Sequence, residues 1–268
     1  MQFSPADILY AIIIIIIIAI LAGLILVSDR ITRMMQLRRI RAFRASPVKR
    51  ENEPVLIQGL AVSPGHTLPT SGEQVAFYAL FVMTQGSNLA MAFKRTQLLP
   101  STTAFKIFES SGDFTVIENT VPYRIEISSI VAYFFTGGRM FAEQHRHEAI
   151  SLGYSETIFN EAVNFEAAIQ ALTKVFRISA TGDSYISAID TRVTHYQYGD
   201  NTPSGILDFI RRKGISPKPG EKISVIEFSI PQKKPLYVFG TLGEGNSIRY
   251  TSDTVSLSVS YTDPESPP

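Results

Sequence analysis

Ile8–Val27 is a run without a single charge, and within it only Tyr10 carries a polar side-chain atom. As a helix it extends about 30 Å, the thickness of a bilayer's hydrocarbon core. A cleavable signal would begin with a basic stretch and leave through small residues, whereas this run follows MQFSPAD and ends in ILVSDR. A soluble buried helix would interrupt the run somewhere around its circumference. The expectation is a transmembrane helix over 8–27 that stays attached, preceded by a short extracytoplasmic N-terminus over 1–7.

The flanks give its direction. Residues 28–50 carry Arg30, Arg33, Arg38, Arg39, Arg41, Arg44, Lys49 and Arg50 against the one acid Asp29, while no basic residue precedes the run. Positive flanks stay on the cytoplasmic side, which places 28–268 in the cytoplasm. On a continuing helix, Arg30, Arg33, Arg41 and Arg44 fall within about 80° of one another. That stripe suits anionic lipid headgroups; it is equally a plain stop-transfer flank. Ser46-Pro47 ends any such helix.

From residue 51 onward the chain has 17 basic and 22 acidic side chains, too acidic a body for a general nucleic-acid binder. It has no cysteine, which excludes disulfides, thiol nucleophiles and cysteine-held zinc or iron–sulfur clusters.

The body over 51–262 reads as mainly β within an α+β class, a barrel-like or packed sheet followed by a flexible tail over 263–268. VLIQGLAV (55–62), QVAFYALFVMT (74–84), ISVIEFSI (223–230) and LYVFGTL, stopping at Gly240, have strand composition. AFKIFESSGDFTVIE (104–118) reads as two strands around a turn, and VPYRIEISSIVAYFF (121–135) as a further strand or pair. A helical insertion is expected at about 139–213. Within it Ile158, Ala162, Phe165, Ile169, Leu172 and Phe176 recur at helical spacing, with Ser155 as N-cap. A second helix is expected over Ser204–Lys213, closed by Gly214.

Candidate chemistry is sparse. His145 and His147 in EQHRHE are the only clustered histidines, and with Glu143 they form the one weak metal-ligand set. TGGRM and GTLGEGN lack the lysine and the strand–helix context of a phosphate loop. No nucleophile elbow occurs, and His195 has no triad context. The residues point to no catalytic group and no cofactor.

Three segments, in order, resemble the GIDE-type, or beside-a-membrane, domain that adjoins membrane helices in mitochondrial E3 ubiquitin ligases and in many prokaryotic membrane proteins. The first contains Gly59 and then LPTSGEQVAFY, where Pro69, Gly72, Phe77 and Tyr78 match, while Leu68 and Val75 stand where Ser and Cys are usual. The second is FKIFESSGDFTVI, similar to a strand–turn–strand hairpin through Gly112 and Val116. The third is GEKISVIEFSIPQKKPLYVFGTL, through Glu227, Tyr237, Val238 and Gly240. The resemblance spans roughly 80 residues, and 120–215 departs from it.

It implies a non-enzymatic protein or lipid interaction module beside the membrane, with the bilayer, anionic headgroups and other membrane proteins as partners and no nucleic acid. The ligase activity of the eukaryotic relatives resides in a separate zinc-binding RING domain, which a chain without cysteine cannot build. The competing expectation is a membrane-tethered hydrolase or metal-dependent enzyme with its site in 139–213. A polar cleft joining Glu143, His145, His147 and Asp183 would favour it. The topology is checked with a C-terminal reporter, which should be active in the cytoplasm; activity confined to the outside would reject the orientation.

Overall fold

The computed structural model describes residues 49–63, 65–85, 105–151, 153, 155–177, 179–181, 184–186, 188–199, 201–251 and 257–263, with the backbone alone at 137–145, 148, 179–181 and 184–186. The apolar run Ile8–Val27 and the arginines Arg30, Arg33, Arg38, Arg39, Arg41 and Arg44 lie outside the described residues. Among the described residues no helix is long and apolar enough to cross a membrane.

The first strand, β1 (Pro54–Val62), alternates buried Val55, Ile57 and Ala61 with more exposed neighbours, as a strand with one face on a core must. It is followed by β2 (His66–Thr67), β3 (Gln74–Thr84), β4 (Lys106–Ser110), β5 (Phe114–Glu118) and β6 (Val121–Ile125). Helices α1 (Ile127–Ser151) and α2 (Glu156–Val175) come next, then the short pair β7 (Ser179–Thr181) and β8 (Ser184–Ile186) and the strand β9 (Asp190–Gln197). Helix α3 (Ser204–Arg212) precedes β10 (Lys222–Pro231), β11 (Pro235–Gly243), β12 (Ser247–Arg249) and β13 (Ser258–Ser260).

The strands form a small barrel and a packed sheet. β1 pairs with β11 through Pro54–Leu60 and with β5 through Leu60–Val62. The ring continues from β5 to β6, from β6 in parallel to β12, and from β12 back to β11, so five strands close on themselves. β13 adds to β11. The second sheet centres on β3 and β10, with β9 beyond β10 and both β2 and β4 on the far edge of β3.

Both faces of β3 are buried, which explains its near-continuous apolar sequence. Phe77, Ala79 and Phe81 join the barrel interior in one core; Leu80 and Val82 face a second core with Ile206, Phe209 and Ile210 of α3. Phe81 is central to the first core, its ring 5.1 Å from Phe165 of α2 and 5.8 Å from Phe228 of β10. Truncating so enclosed a ring to alanine costs about 3–5 kcal/mol.

The mainly β class with a helical insertion is observed, but four local expectations need correction. The helical segment starts at Ile127 rather than near 139. Ile127, Ile130, Val131 and Phe134 pack on the core at helical spacing, and Asp113 fixes the start by accepting from the Ser128 N–H at 2.9 Å and its hydroxyl at 2.7 Å. The insertion also ends before 213, because β9 rejoins the sheet; its half-exposed, polar alternation is that of an edge strand. The two strands of 104–118 do not pair with each other: β4 joins β3 and β5 joins the barrel, with Gly112 at φ +82° in the link between the sheets. β11 runs through Gly240 to Gly243 because both of its edges are paired.

Two helix ends follow the sequence signals. Ser155 accepts from the Ile158 N–H at 3.2 Å at the start of α2. Gly214, at φ +68°, follows the end of α3 and donates to the Arg211 carbonyl at 2.9 Å.

Barrel closure requires Gly59. A Cβ there would lie 2.3 Å from the Ile117 carbonyl oxygen, a backbone atom that cannot swing aside. We expect Gly59→Ala to cost about 1–3 kcal/mol and to lower the melting temperature by roughly 2–4 °C per kcal/mol. Thermal unfolding monitored by circular dichroism checks this, and an unchanged transition would reject the close approach.

Candidate functional site

An open cleft of about 660 Å³ lies beside α3, lined by Thr67, Pro69, Tyr78, Glu109, Gly205, Asp208, Arg211 and Arg212. Its floor comes from the sheet and its rim from the helix. Tyr78 and Glu109 stand on the α3-facing side of neighbouring strands, where β3 and β4 run side by side with Leu80 opposite Glu109. The Tyr78 hydroxyl donates to Glu109 Oε1 at 3.0 Å. The Arg212 guanidinium reaches Glu109 Oε2 at 3.3 Å. Arg211 pairs with Asp208 one turn earlier on α3 at 3.0 Å, and both of those side chains are largely exposed.

Helix α3 is amphipathic, which produces this rim. Ile206, Phe209 and Ile210 are buried against the sheet, leaving Asp208, Arg211 and Arg212 toward solvent. Its first turn is pressed onto the β2–β3 loop: a Cβ on Gly205 would meet the Pro69 carbonyl oxygen at 2.1 Å. The loop itself is tied inward. Gly72, at φ +74°, donates its N–H to the Leu68 carbonyl at 2.9 Å. Thr70 Oγ1 donates to Glu227 Oε2, and that carboxylate is buried in the middle of β10.

Burial, followed by the negative charge of Glu109 and the hydrogen bond to it, pushes the Tyr78 phenol up to about 12, with Arg212 opposing the shift. Tyr78 is therefore a neutral hydrogen-bond donor throughout the physiological range. The cleft has a fixed donor–acceptor floor beneath a rim of solvated, paired charges, an arrangement suited to receiving a polar segment of another molecule.

The residues of the three family-like segments fall into two groups. Pro69 and Tyr78 line the cleft, and Gly72 and Glu227 hold the loop that walls it. Gly59, Val116, Tyr237, Val238 and Gly240 belong to the barrel. Val116 and Val238 are buried there, and Tyr237 accepts from Gln58 Nε2 at 3.2 Å. A Cβ on Gly240 would approach Ile248 Cγ2 to 2.6 Å. No sequence motif singles out Asp208, Arg211 and Arg212 as site residues. Their only signal is the charged face of a short amphipathic helix, which is also what an ordinary solvated helix presents.

Of the histidine set, only His147 has a described side chain. His147 is exposed on α1, while the side chains of Glu143 and His145, and Asp183 as a whole, lie outside the described residues. Among the described residues no three His, Asp or Glu side chains converge as metal ligands would. His195 does gain a partner the sequence did not suggest: its Nδ1 lies 2.9 Å from Ser224 Oγ, directly across the β9–β10 ladder. Ser224 sits on a central strand whose backbone is paired on both sides, so the ladder occupies that strand's own amides. No protein-family model matches the chain, and the comparison with curated proteins and with solved structures likewise finds no match.

The shifted phenol has a pH consequence. A group whose folded pKa is raised contributes stability that is complete below its unfolded value and lost as pH rises through the folded one. Tyr78 should therefore contribute to a fall in stability between about pH 10 and about pH 12. Tyr78→Phe should make that fall shallower and remove a component rising near that pH from the tyrosinate absorbance. Unchanged alkaline titration in the variant would reject the assignment.

Proposed function

We propose that the chain is a single-pass membrane protein whose Ile8–Val27 helix and basic flank hold a GIDE-like, mainly β domain at the cytoplasmic surface. There the domain acts as a non-enzymatic interaction module, and the cleft beside α3 receives a segment of a membrane or membrane-proximal protein. The observation that carries this reading is the cleft itself. Its Tyr78–Glu109 floor is locked by hydrogen bonding, whereas Arg211, Asp208 and Arg212 on its rim are 73%, 65% and 64% exposed. Such a rim can exchange its internal ion pairs for equivalent ones with a partner at small cost, since exposed pairs contribute about 0–1 kcal/mol each. The resemblance of the segments around Pro69, Gly72, Tyr78 and Glu227 to a beside-a-membrane domain supports the same reading. These are the residues that line the cleft or brace its wall.

The hydrolase reading has one observation in its favour, the His195–Ser224 hydrogen bond. Against it, Ser224 is buried in a strand paired on both sides, and of its remaining candidates Glu143, His145, His147 and Asp183 only His147 has a described side chain, exposed on α1.

A photo-crosslinking residue at Asp208 of the full chain, irradiated in native membranes, should capture a discrete protein partner. The same residue at the exposed Glu244 should not. Reversing the rim with Arg211→Glu and Arg212→Glu should reduce capture at least about tenfold, the loss expected when charge complementarity becomes like-charge repulsion. Equal capture from both positions, or capture indifferent to charge reversal, would reject the cleft as the binding site.

A further inference from the structure

Leu60, Ile117 and Val121 are three of the five large hydrophobic side chains exposed among the described residues. Two of them, with two exposed prolines, form one continuous line. Leu60 of β1 is directly opposite Pro235 of β11 on one side and Ile117 of β5 on the other, and Ile117 is opposite Pro122 of β6. Directly opposed residues of an antiparallel pair project to the same face. Pro235, Leu60, Ile117 and Pro122 therefore make an apolar row across four strands on the outside of the barrel, and all four are exposed. Single exposed hydrophobes need no explanation, but a contiguous row does.

Basic residues stand at both ends of the row. At the β11 end, the β10–β11 turn carries Lys233 and Lys234 and is fastened beside Leu60, where the Lys233 N–H donates to the Ala61 carbonyl at 2.8 Å and the Ala61 N–H to the Lys234 carbonyl at 2.9 Å. At the β6 end, Lys49 forms an ion pair with Glu118, the residue after Ile117, and its ammonium lies 4.9 Å from the centroid of the Tyr123 ring. Arg50 follows it, exposed. In the sequence Lys49 follows Arg44 of the basic flank by five residues. The polypeptide coming from the apolar run thus joins the barrel next to this row.

We propose that the Pro235–Leu60–Ile117–Pro122 row is a membrane-contact face, seated in the headgroup region of an anionic bilayer with Lys49, Arg50, Lys233 and Lys234 around it. An apolar strip bordered by cations is the composition that partitions into such an interface. The proposal rests on the anchored reading given above. It adds that the domain lies on the bilayer by a defined face and is not merely tethered to it.

The chain has no tryptophan, so one introduced indole reports its own surroundings. Ile117→Trp, Leu60→Trp and, as a control, His147→Trp on the exposed face of α1 are prepared in the full-length protein. Each is reconstituted into phosphatidylcholine–phosphatidylserine vesicles with or without brominated acyl chains. Emission from the Ile117→Trp and Leu60→Trp variants should be blue-shifted and quenched about twofold by the brominated lipid, as for a ring seated roughly 5–10 Å into the headgroup boundary. Emission from the control should change little. Either row variant suffices should the other fail to fold.

Variants that float with the vesicles yet show no more quenching than the control overturn this proposal and leave the anchor intact. Variants that do not float overturn both readings. Blue-shifted, unquenched row emission together with a doubled mass in detergent assigns the row to contact between two copies, and equally overturns it.

Discussion

The crossing of β1 and β5 at Gly59 is the constraint on which the architecture depends. β1 serves two partners in succession, β11 along most of its length and β5 along its last residues, and the five-stranded ring closes only where it passes from one to the other. At that point the Ile117 carbonyl approaches Gly59 so closely that any side chain would collide with it. The side chain of Glu118 completes the crossing: its Oε1 accepts from the Gln58 N–H at 3.0 Å, satisfying a backbone donor at the point where β1 leaves β5. The ion pair between Lys49 and Glu118 links the incoming chain to the same place. Closure, backbone satisfaction and the attachment of the incoming chain are thus one local problem solved by five residues, Lys49, Gln58, Gly59, Ile117 and Glu118.

The packed sheet gives the barrel a second layer and, on its other side, the cleft beside α3. β3 contributes alternate residues to two cores, so its Phe77 and Phe81 hold the barrel while Leu80 and Val82 hold α3. Because α3 is anchored by three buried side chains and stopped against Pro69, its charged residues are carried on a rigid support. Were a partner to bind there as proposed, so rigid a support would lower the ordering cost of binding. The cleft and the apolar row use different layers of the fold, one beside α3 on the sheet and the other on the outer wall of the barrel.

Much of the strand and helix pattern was legible in the sequence. β1, β3, β10 and the helix following Ser155 carry strong periodicity or composition, and Ser155 and Gly214 mark helix ends in their usual chemical roles. The misread segments had one physical cause, a local composition that favours one state while distant contacts select another. ISSIVAYFF is rich in β-branched and aromatic residues, yet it becomes helix because Asp113, across the barrel strands, caps Ser128 and because Ile127 and Ile130 find the core. KIFES and FTVIE look like a hairpin because a turn separates them, yet each is drawn to a different sheet.

By itself the sequence determined that this chain has one apolar run of membrane-spanning length with a basic flank, a mainly β body, no cysteine chemistry and no recognisable catalytic motif. These follow from composition and spacing, which act over a few residues. The tertiary structure alone decided that Tyr78, Glu109 and Arg212 meet across a cleft, that Leu60 and Ile117 align with two prolines in one exposed row, and that His195 faces Ser224. Each of those juxtapositions depends on strand register between segments far apart in the chain. Register is set by closure of the barrel and burial of whole faces, not by the identity of the residues that end up side by side.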